Sequence, residues 1–278
     1  MKGLEDASGD LELDRLLEEI FRLYHYDFRS YARSSLRRRI AQALAALGTP
    51  TVGELLDRVV RDPVAFARLL PCLTIQVSDL FRDPEHWRAL REQVLPHLST
   101  YPSLRVWVAG CGAGEEAYTV AILLHEEGLL DRTQIYATDI DARSLEVARN
   151  GVYDVDRIRT FSRNYFASGG RASLSDYYST AYGRAAMSTA IRKRILFSDH
   201  SLATDSAFAE VQLVSCRNVL IYFERTLQDR AIDLFADSLC PRGFLGLGSH
   251  ESLRLCARAN EFEPVAGGQR IYRRRASS

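Results

Sequence analysis

Lysine is almost missing from this chain: Lys2 and Lys193 stand alone, and 34 of the 36 basic residues are arginine. Net charge is missing too, since 36 Lys+Arg face 36 Asp+Glu. A general nucleic-acid or membrane-surface binder carries a basic excess, so both classes are excluded as the main role. No apolar run approaches the ~18 residues of a membrane span. The first twenty residues carry seven acids and two bases, which is no secretory leader. The five cysteines (Cys72, Cys111, Cys216, Cys240, Cys256) are spread out and never form CxxC. That pattern predicts reduced thiols in a soluble, cytoplasmic protein rather than a disulfide framework or zinc site. The six histidines are too scattered to support a metal site. No repeat or low-complexity segment is present.

What is there is 278 residues with ordinary globular proportions, enough for one large or two ordinary domains. From about 11 to 95 the chain reads as helices. Leu13, Leu16, Leu17 and Ile20 recur at helical spacing, and a second run from about Ser30 stops at Gly48. Thr51-Val-Gly-Glu54 is a capping-box pattern, and Asp62-Pro63 and Asp83-Pro84 each place proline at a first helical turn. After Tyr101-Pro102 short apolar strands alternate with helices: 104–109, helix 115–127, strand 134–138, helix 142–150, strands 195–197 and 211–215, helix 225–239, strand 243–247. This order predicts a mostly parallel α/β sheet covered on both faces, with an antiparallel edge from a hairpin at Phe262–Tyr272. Between about 160 and 192 the alternation breaks, with no long helix, and a small inserted subdomain is expected.

Gly110, Gly112 and Gly114 follow a strand and open a helix, where backbone can approach a nucleotide-like ligand. The dinucleotide fingerprint wants glycine at 115, but Glu115 and Glu116 stand there. Two carboxylates would compete with a pyrophosphate for the helix's positive end, whereas a cationic ligand tolerates them. Asp139 ends the second strand, where an acid accepts hydrogen bonds from ribose hydroxyls. These residues read as an S-adenosylmethionine site or, equally well on this motif alone, as a glycine turn that packs a helix on the sheet with solvated acids. Ser215-Cys-Arg-Asn-Val-Leu-Ile-Tyr-Phe223 follows a later strand and places Arg217, Asn218 and Tyr222 near the same sheet edge.

Thr74-Ile-Gln-Val-Ser-Asp-Leu-Phe-Arg82, Ala109-Gly-Cys-Gly-Ala-Gly-Glu-Glu-Ala-Tyr118, Ala137-Thr-Asp-Ile-Asp141 and Cys216-Arg-Asn-Val-Leu-Ile-Tyr-Phe223 resemble the CheR family of chemotaxis protein methyltransferases. So does Tyr31…Leu36-Arg-Arg-Arg-Ile40, and the similarity runs over nearly the whole chain. The resemblance implies a helical N-terminal substrate-recognition domain (1–80), a linker (81–102) and a class I methyltransferase domain (103–278) with an inserted β-subdomain at about 160–192. It implies transfer of methyl from S-adenosylmethionine to glutamate side chains in the cytoplasmic helices of chemoreceptors, leaving S-adenosylhomocysteine. A degenerate cofactor-binding regulatory module, or a methyltransferase for another protein or small molecule, is the alternative. A monomer is expected.

By position, the resemblance implies cofactor contacts from Gln76, Ser78, Arg82, Glu116, Asp139, Ser201, Leu202, Cys216 and Arg217, beside Gly110, Gly112 and Asn218 of the turns read above. Gln76 stands where the family has asparagine, Gly112-Ala113 where it has Ser-Thr, and Ser201 where it has asparagine. Arg82 and Tyr222 match the residues placed near the transferred methyl and are expected to orient the substrate carboxylate. A glutamate of reference pKa ~4.3 is ionised at neutral pH, so no general base is required. Residues 21–40 hold Arg22, Arg29, Arg33, Arg37, Arg38 and Arg39 against one acid, Asp27. Arg33 and Arg37 lie one turn apart, with Arg38 about 100° further round. These three are expected to contact an acidic receptor helix.

Overall fold

The computed structural model describes residues 7–74, 78–266 and 268–276. Four helices open the chain: α1 (Ala7–Tyr24), α2 (Arg33–Leu47), α3 (Val52–Arg61) and α4 (Pro63–Leu73). Leu13, Leu16, Leu17 and Ile20 of α1 bury one face against Leu36, Ile40, Leu55, Val59 and Leu69. The punctuation read from the sequence sets their limits. Gly48 ends α2 in the left-handed region (φ 61°), Thr51 accepts the Glu54 N–H, and Asp62 accepts the Val64 N–H ahead of Pro63.

The second helix starts at Arg33 rather than Ser30, because the backbone of residues 30–32 is committed elsewhere. Ala32 N–H donates to the Tyr222 carbonyl and Glu224 N–H to the Ser30 carbonyl, both at 2.8 Å. Tyr31 thereby pairs antiparallel with Phe223, and their rings meet edge-on at 4.9 Å. The helical unit is stitched by backbone to the turn that carries Tyr222.

Next come α5 (Pro84–Gln93) and α6 (Leu95–Leu98). Trp87, Leu90, Val94, Leu95 and Leu98 are buried in the same core as Val106 and Val108 of the sheet. Residues 81–102, expected to be a linker, are therefore packed against the large sheet. The remaining elements are β1 (Leu104–Ala109), α7 (Glu115–Glu126), β2 (Thr133–Asp139), α8 (Ala142–Asn150), β3 (Val152–Asp154), α9 (Val155–Ala167), β4 (Tyr178–Ala181), β5 (Arg184–Met187), α10 (Thr189–Arg192), β6 (Ile195–Asp199), β7 (Val211–Cys216), α11 (Arg225–Ser238), β8 (Leu239–Leu247), β9 (Phe262–Ala266) and β10 (Ile271–Arg274).

Among the described residues the large sheet runs β6-β2-β1-β7-β8-β10-β9. Its first five strands are parallel, and β10 and β9 close it antiparallel, as the hairpin pattern predicted. The order reverses between β1 and β7, so a crevice opens beyond the carboxyl ends of β1, β2 and β7. A three-stranded antiparallel sheet, β3-β5-β4, forms the insert. The insert begins at Val152, ahead of the expected 160, and contains α9, a helix of 13 residues that runs into a stretch where no long helix was expected. Phe161 and Tyr165 supply the buried face of α9. No described helix is long and apolar enough to cross a membrane.

Candidate functional site

Three chain segments meet at the crevice. The first is the turn after β1. Gly110 adopts φ 72°, and a Cβ there would lie 2.5 Å from a Val219 methyl, so glycine permits the β1 and β7 turns to touch. The second is the end of β2. Asp139 accepts the Gly112 N–H at 2.8 Å through one carboxylate oxygen and the Asp141 N–H at 3.0 Å through the other. The acid thus fixes the glycine loop while still lining the cavity. Its burial pushes the carboxyl pKa up, against the pull of those backbone donors.

The third segment follows β7. Strand alternation sends Ser215 and Cys216 to opposite faces. Ser215 donates its hydroxyl to Glu116 at 2.6 Å, holding that carboxylate in the cavity wall. Burial raises the Glu116 pKa, and Arg217, 3.9 Å away, opposes the shift. Arg217 also lines the cavity and is itself tied down. It pairs with Asp83 at 2.7 Å, donates to the Arg82 carbonyl at 3.2 Å, and lies 4.9 Å over the Trp87 ring. The segment before α5 is bent to receive it: Phe81 and Asp83 take φ 55° and 56°, a strained setting for residues other than glycine.

The turn of residues 218–220 hangs on a residue the sequence reading missed. Buried Glu251 accepts N–H groups from Val219 (2.8 Å) and Leu220 (2.7 Å) on one oxygen, and from Asn218 (3.1 Å) and Gly248 (2.5 Å) on the other. Desolvation raises its pKa despite these four donors. Beyond that turn stands Tyr222, with the Arg39 guanidinium 4.6 Å over its ring. Arg39 is buried, donates to the Leu73 carbonyl, and reaches the cavity from α2. Tyr31, His200, Val219 and Phe223 also line the cavity without having been anticipated.

Of the expected site residues, Ser78, Arg82, Gly110, Gly112, Glu116, Asp139, Leu202, Arg217, Asn218 and Tyr222 share this one cavity. Gln76 lies outside the described residues. Ser201 and Cys216 do not line it. The Ser201 N–H donates to Asp205 and its hydroxyl accepts the Ala203 N–H, so a local turn consumes it. Cys216 packs in the core with Trp107 and Leu245, and burial pushes its thiol well above the usual range. Glu115, fully buried, turns away from the cavity to pair with Arg157 at 2.8 Å.

The arginines of α2 divide. Arg37 pairs with Asp10 at 2.6 Å, Arg33 pairs with Asp14, and Arg29, just before α2, pairs with Glu18 at 3.1 Å. Acids at steps of four on α1 thus meet bases at steps of four in the opposite direction. The acidic helix facing Arg33 and Arg37 in this structure is the chain's own. Arg38 is exposed.

The cavity fits S-adenosylmethionine on its own chemistry. It offers two half-buried carboxylates, Glu116 and Asp139, for a ligand bearing an ammonium group and ribose hydroxyls, beside the glycine turn at Gly110. Asn218, Leu202, Ser78 and Arg82 supply the remaining walls. The family described as CheR methyltransferase, SAM binding domain, matches residues 76–270, and CheR methyltransferase, all-alpha domain, matches residues 11–74. Cher3 of Pseudomonas putida, named as a candidate methyltransferase, is 53% identical over 97% of this chain and 98% of its own. A chemotaxis protein methyltransferase of Listeria monocytogenes is 31% identical over 88% of this chain and 92% of its own. Among solved structures, the N-methyltransferase NodS of Bradyrhizobium japonicum with S-adenosylhomocysteine is 16% identical, covering 61% of this chain and 62% of that one at a TM-score of 0.35. With both of its domains matched and its cofactor cradle in place, the chain belongs to the CheR family of S-adenosylmethionine-dependent methyltransferases.

Proposed function

We propose that this protein methylates glutamate side chains in the cytoplasmic helices of chemoreceptors, forming methyl esters and S-adenosylhomocysteine. The observation that carries the reading is Arg39 stacked on Tyr222 in a cavity also lined by Arg82. Two guanidinium groups and a phenol beside the cofactor walls suit a carboxylate nucleophile better than an amine, which two cations would repel. The names of the chemotaxis relatives support the same substrate class.

The bound cofactor supplies an electrophilic methyl group; the chain's residues supply alignment. A glutamate carboxylate arrives already ionised, so none of the lining side chains has to remove a proton. Effective attack needs its oxygen held ~3–3.5 Å from the methyl carbon. Tyr222 is suited to this because its backbone is bonded to Ala32 and its ring is covered by Arg39. Arg82 assists from the other segment. An arginine gripping the carboxylate too tightly would stabilise the ground state and slow transfer, so positioning is the role assigned to both arginines. Arg38, exposed on α2, is proposed to meet the receptor helix, with Arg33 and Arg37 joining where receptor acids replace those of α1. The test is methyl transfer to a receptor cytoplasmic fragment. Labelling should require the protein and vanish when the receptor's acceptor glutamates become glutamines; labelling that survives those replacements, or appears on amines, would refute the assignment.

A further inference from the structure

The family chemistry gives no task to Glu115, yet the chain buries its carboxylate completely at the start of α7. Its partner comes from the insert. Arg157, on the first turn of α9, pairs with Glu115 at 2.8 Å and with Asp79 at 3.3 Å, and donates to the Ser78 carbonyl. The guanidinium lies over the Phe161 ring at 4.7 Å and the Tyr153 ring at 5.6 Å. Two other insert residues reach the same neighbourhood. The Tyr153 hydroxyl donates to the Ala113 carbonyl at 2.8 Å, and Asn164 donates to the Leu80 carbonyl at 3.2 Å. Ser78 and Ala113 both line the cofactor cavity, on segments separated by thirty-four residues of chain. The Phe81 N–H also donates to the Thr119 hydroxyl of α7 at 2.9 Å, and the insert adds its contacts to that link at the cavity end of both segments.

We infer that Arg157 is a positioning residue for the cofactor: it clamps the segment Ser78–Arg82 to the first turn of α7, so that the insert forms part of the cofactor site. The physical ground is charge. Asp79 and Glu115 are two carboxylates converging on one guanidinium, and a buried acid that loses its paired cation is left with an uncompensated desolvation cost. Without Arg157 they repel each other and the segment carrying Ser78 and Arg82 swings from the glycine loop. The three acceptors gather on one guanidinium nitrogen, Nη2, which is held there because the planar group lies over the Phe161 and Tyr153 rings, a seat that a lysine ammonium fills less well. By linkage, whatever tightens the clamp tightens cofactor binding, and bound cofactor stabilises the insert.

Three variants test this by direct binding of S-adenosylhomocysteine, which requires no knowledge of the methyl acceptor and so is separate from the glutamate reading. Arg157→Ala should weaken binding about tenfold or more, and Arg157→Lys should recover only part of it. In Arg157→Ala/Glu115→Gln, removing the stranded buried charge should restore affinity toward that of the parent, an outcome that general damage to the fold would not give. Unchanged affinity in Arg157→Ala overturns the inference. So does a loss in Arg157→Ala that Glu115→Gln leaves untouched, or a loss confined to turnover.

Discussion

Replacing Glu251 by glutamine tests how the site is held. The carboxylate accepts four backbone N–H groups, two on each oxygen, at 2.5–3.1 Å. Glutamine keeps one accepting oxygen and turns the other into a donor, so two of these buried N–H groups lose their acceptor and face an NH2 group. Each unsatisfied group costs about 1–3 kcal/mol, or about 2–6 kcal/mol for the pair. Part is returned, because the buried carboxylate carries a desolvation penalty that already raises its pKa. A net loss of about 2–4 kcal/mol is expected in urea unfolding at neutral pH, enough to weaken the fold without abolishing it. The functional loss should be steeper than the stability loss suggests. Asn218 and Val219 sit on the released turn, Val219 touches the Gly110 loop, and Tyr222 follows directly. Cofactor affinity and turnover should therefore both fall by at least tenfold at temperatures where the variant is still folded. A stability change under about 1 kcal/mol with parental turnover would refute the role given to Glu251.

Further outcomes follow from the same structure. His86 is buried beside Arg217 with its Nδ1 on the Gln269 carbonyl, and desolvation holds its pKa well below 6.5. Below that pH the unfolded chain takes up a proton that the folded chain refuses. Stability should thus fall with acidification by up to about 1.4 kcal/mol per pH unit relative to His86→Gln, and parallel pH profiles would contradict this. Neutralising the α1 acids (Asp10→Asn, Asp14→Asn, Glu18→Gln) should lower the KM for a receptor fragment severalfold at low ionic strength. The gain should disappear near 1 M salt, where screening shortens to ~3 Å; an unchanged KM would confine Arg33 and Arg37 to a structural role. Gly110→Ala should abolish cofactor binding through the Val219 clash, and adding Val219→Ala should restore only part, since φ 72° still disfavours alanine. Tyr222→Phe should lower turnover and leave cofactor affinity nearly unchanged; equal losses in both would defeat the separation of roles.

Much of the sheet was legible because each strand–turn–helix unit carries its own local signals: the apolar run, the glycine turn, the acid at a strand end. Asp139, Glu116 and Arg217 could be located from those units alone. Arg39 could not. In sequence it is one of six arginines near a helix start, and only the docking of residues 30–32 on 222–224 makes it a buried cavity residue. The charge polarity of the first forty residues was readable, yet its meaning was tertiary: the acids of α1 pair with Arg29, Arg33 and Arg37, with Asp27 sharing Arg29. Cys216 was within reach of the strand's period of two, which sends its neighbour Ser215 to the cofactor side. Helix α9 hid because its buried face is built from Phe161 and Tyr165 rather than from leucines, amid polar residues that also suit loops. Glu251 carries no local signal; a lone acid after Gly248-Ser-His declares itself only through the four N–H groups it gathers.

The central claim is the chemical nature of the product. After incubation with methyl-labelled S-adenosylmethionine and chemoreceptor-containing membranes, treatment with mild alkali should release the label as volatile methanol, the mark of a carboxyl methyl ester, and Tyr222→Phe should release far less. Label that stays on the receptor through alkali, or cofactor binding with no transfer at all, would contradict the account.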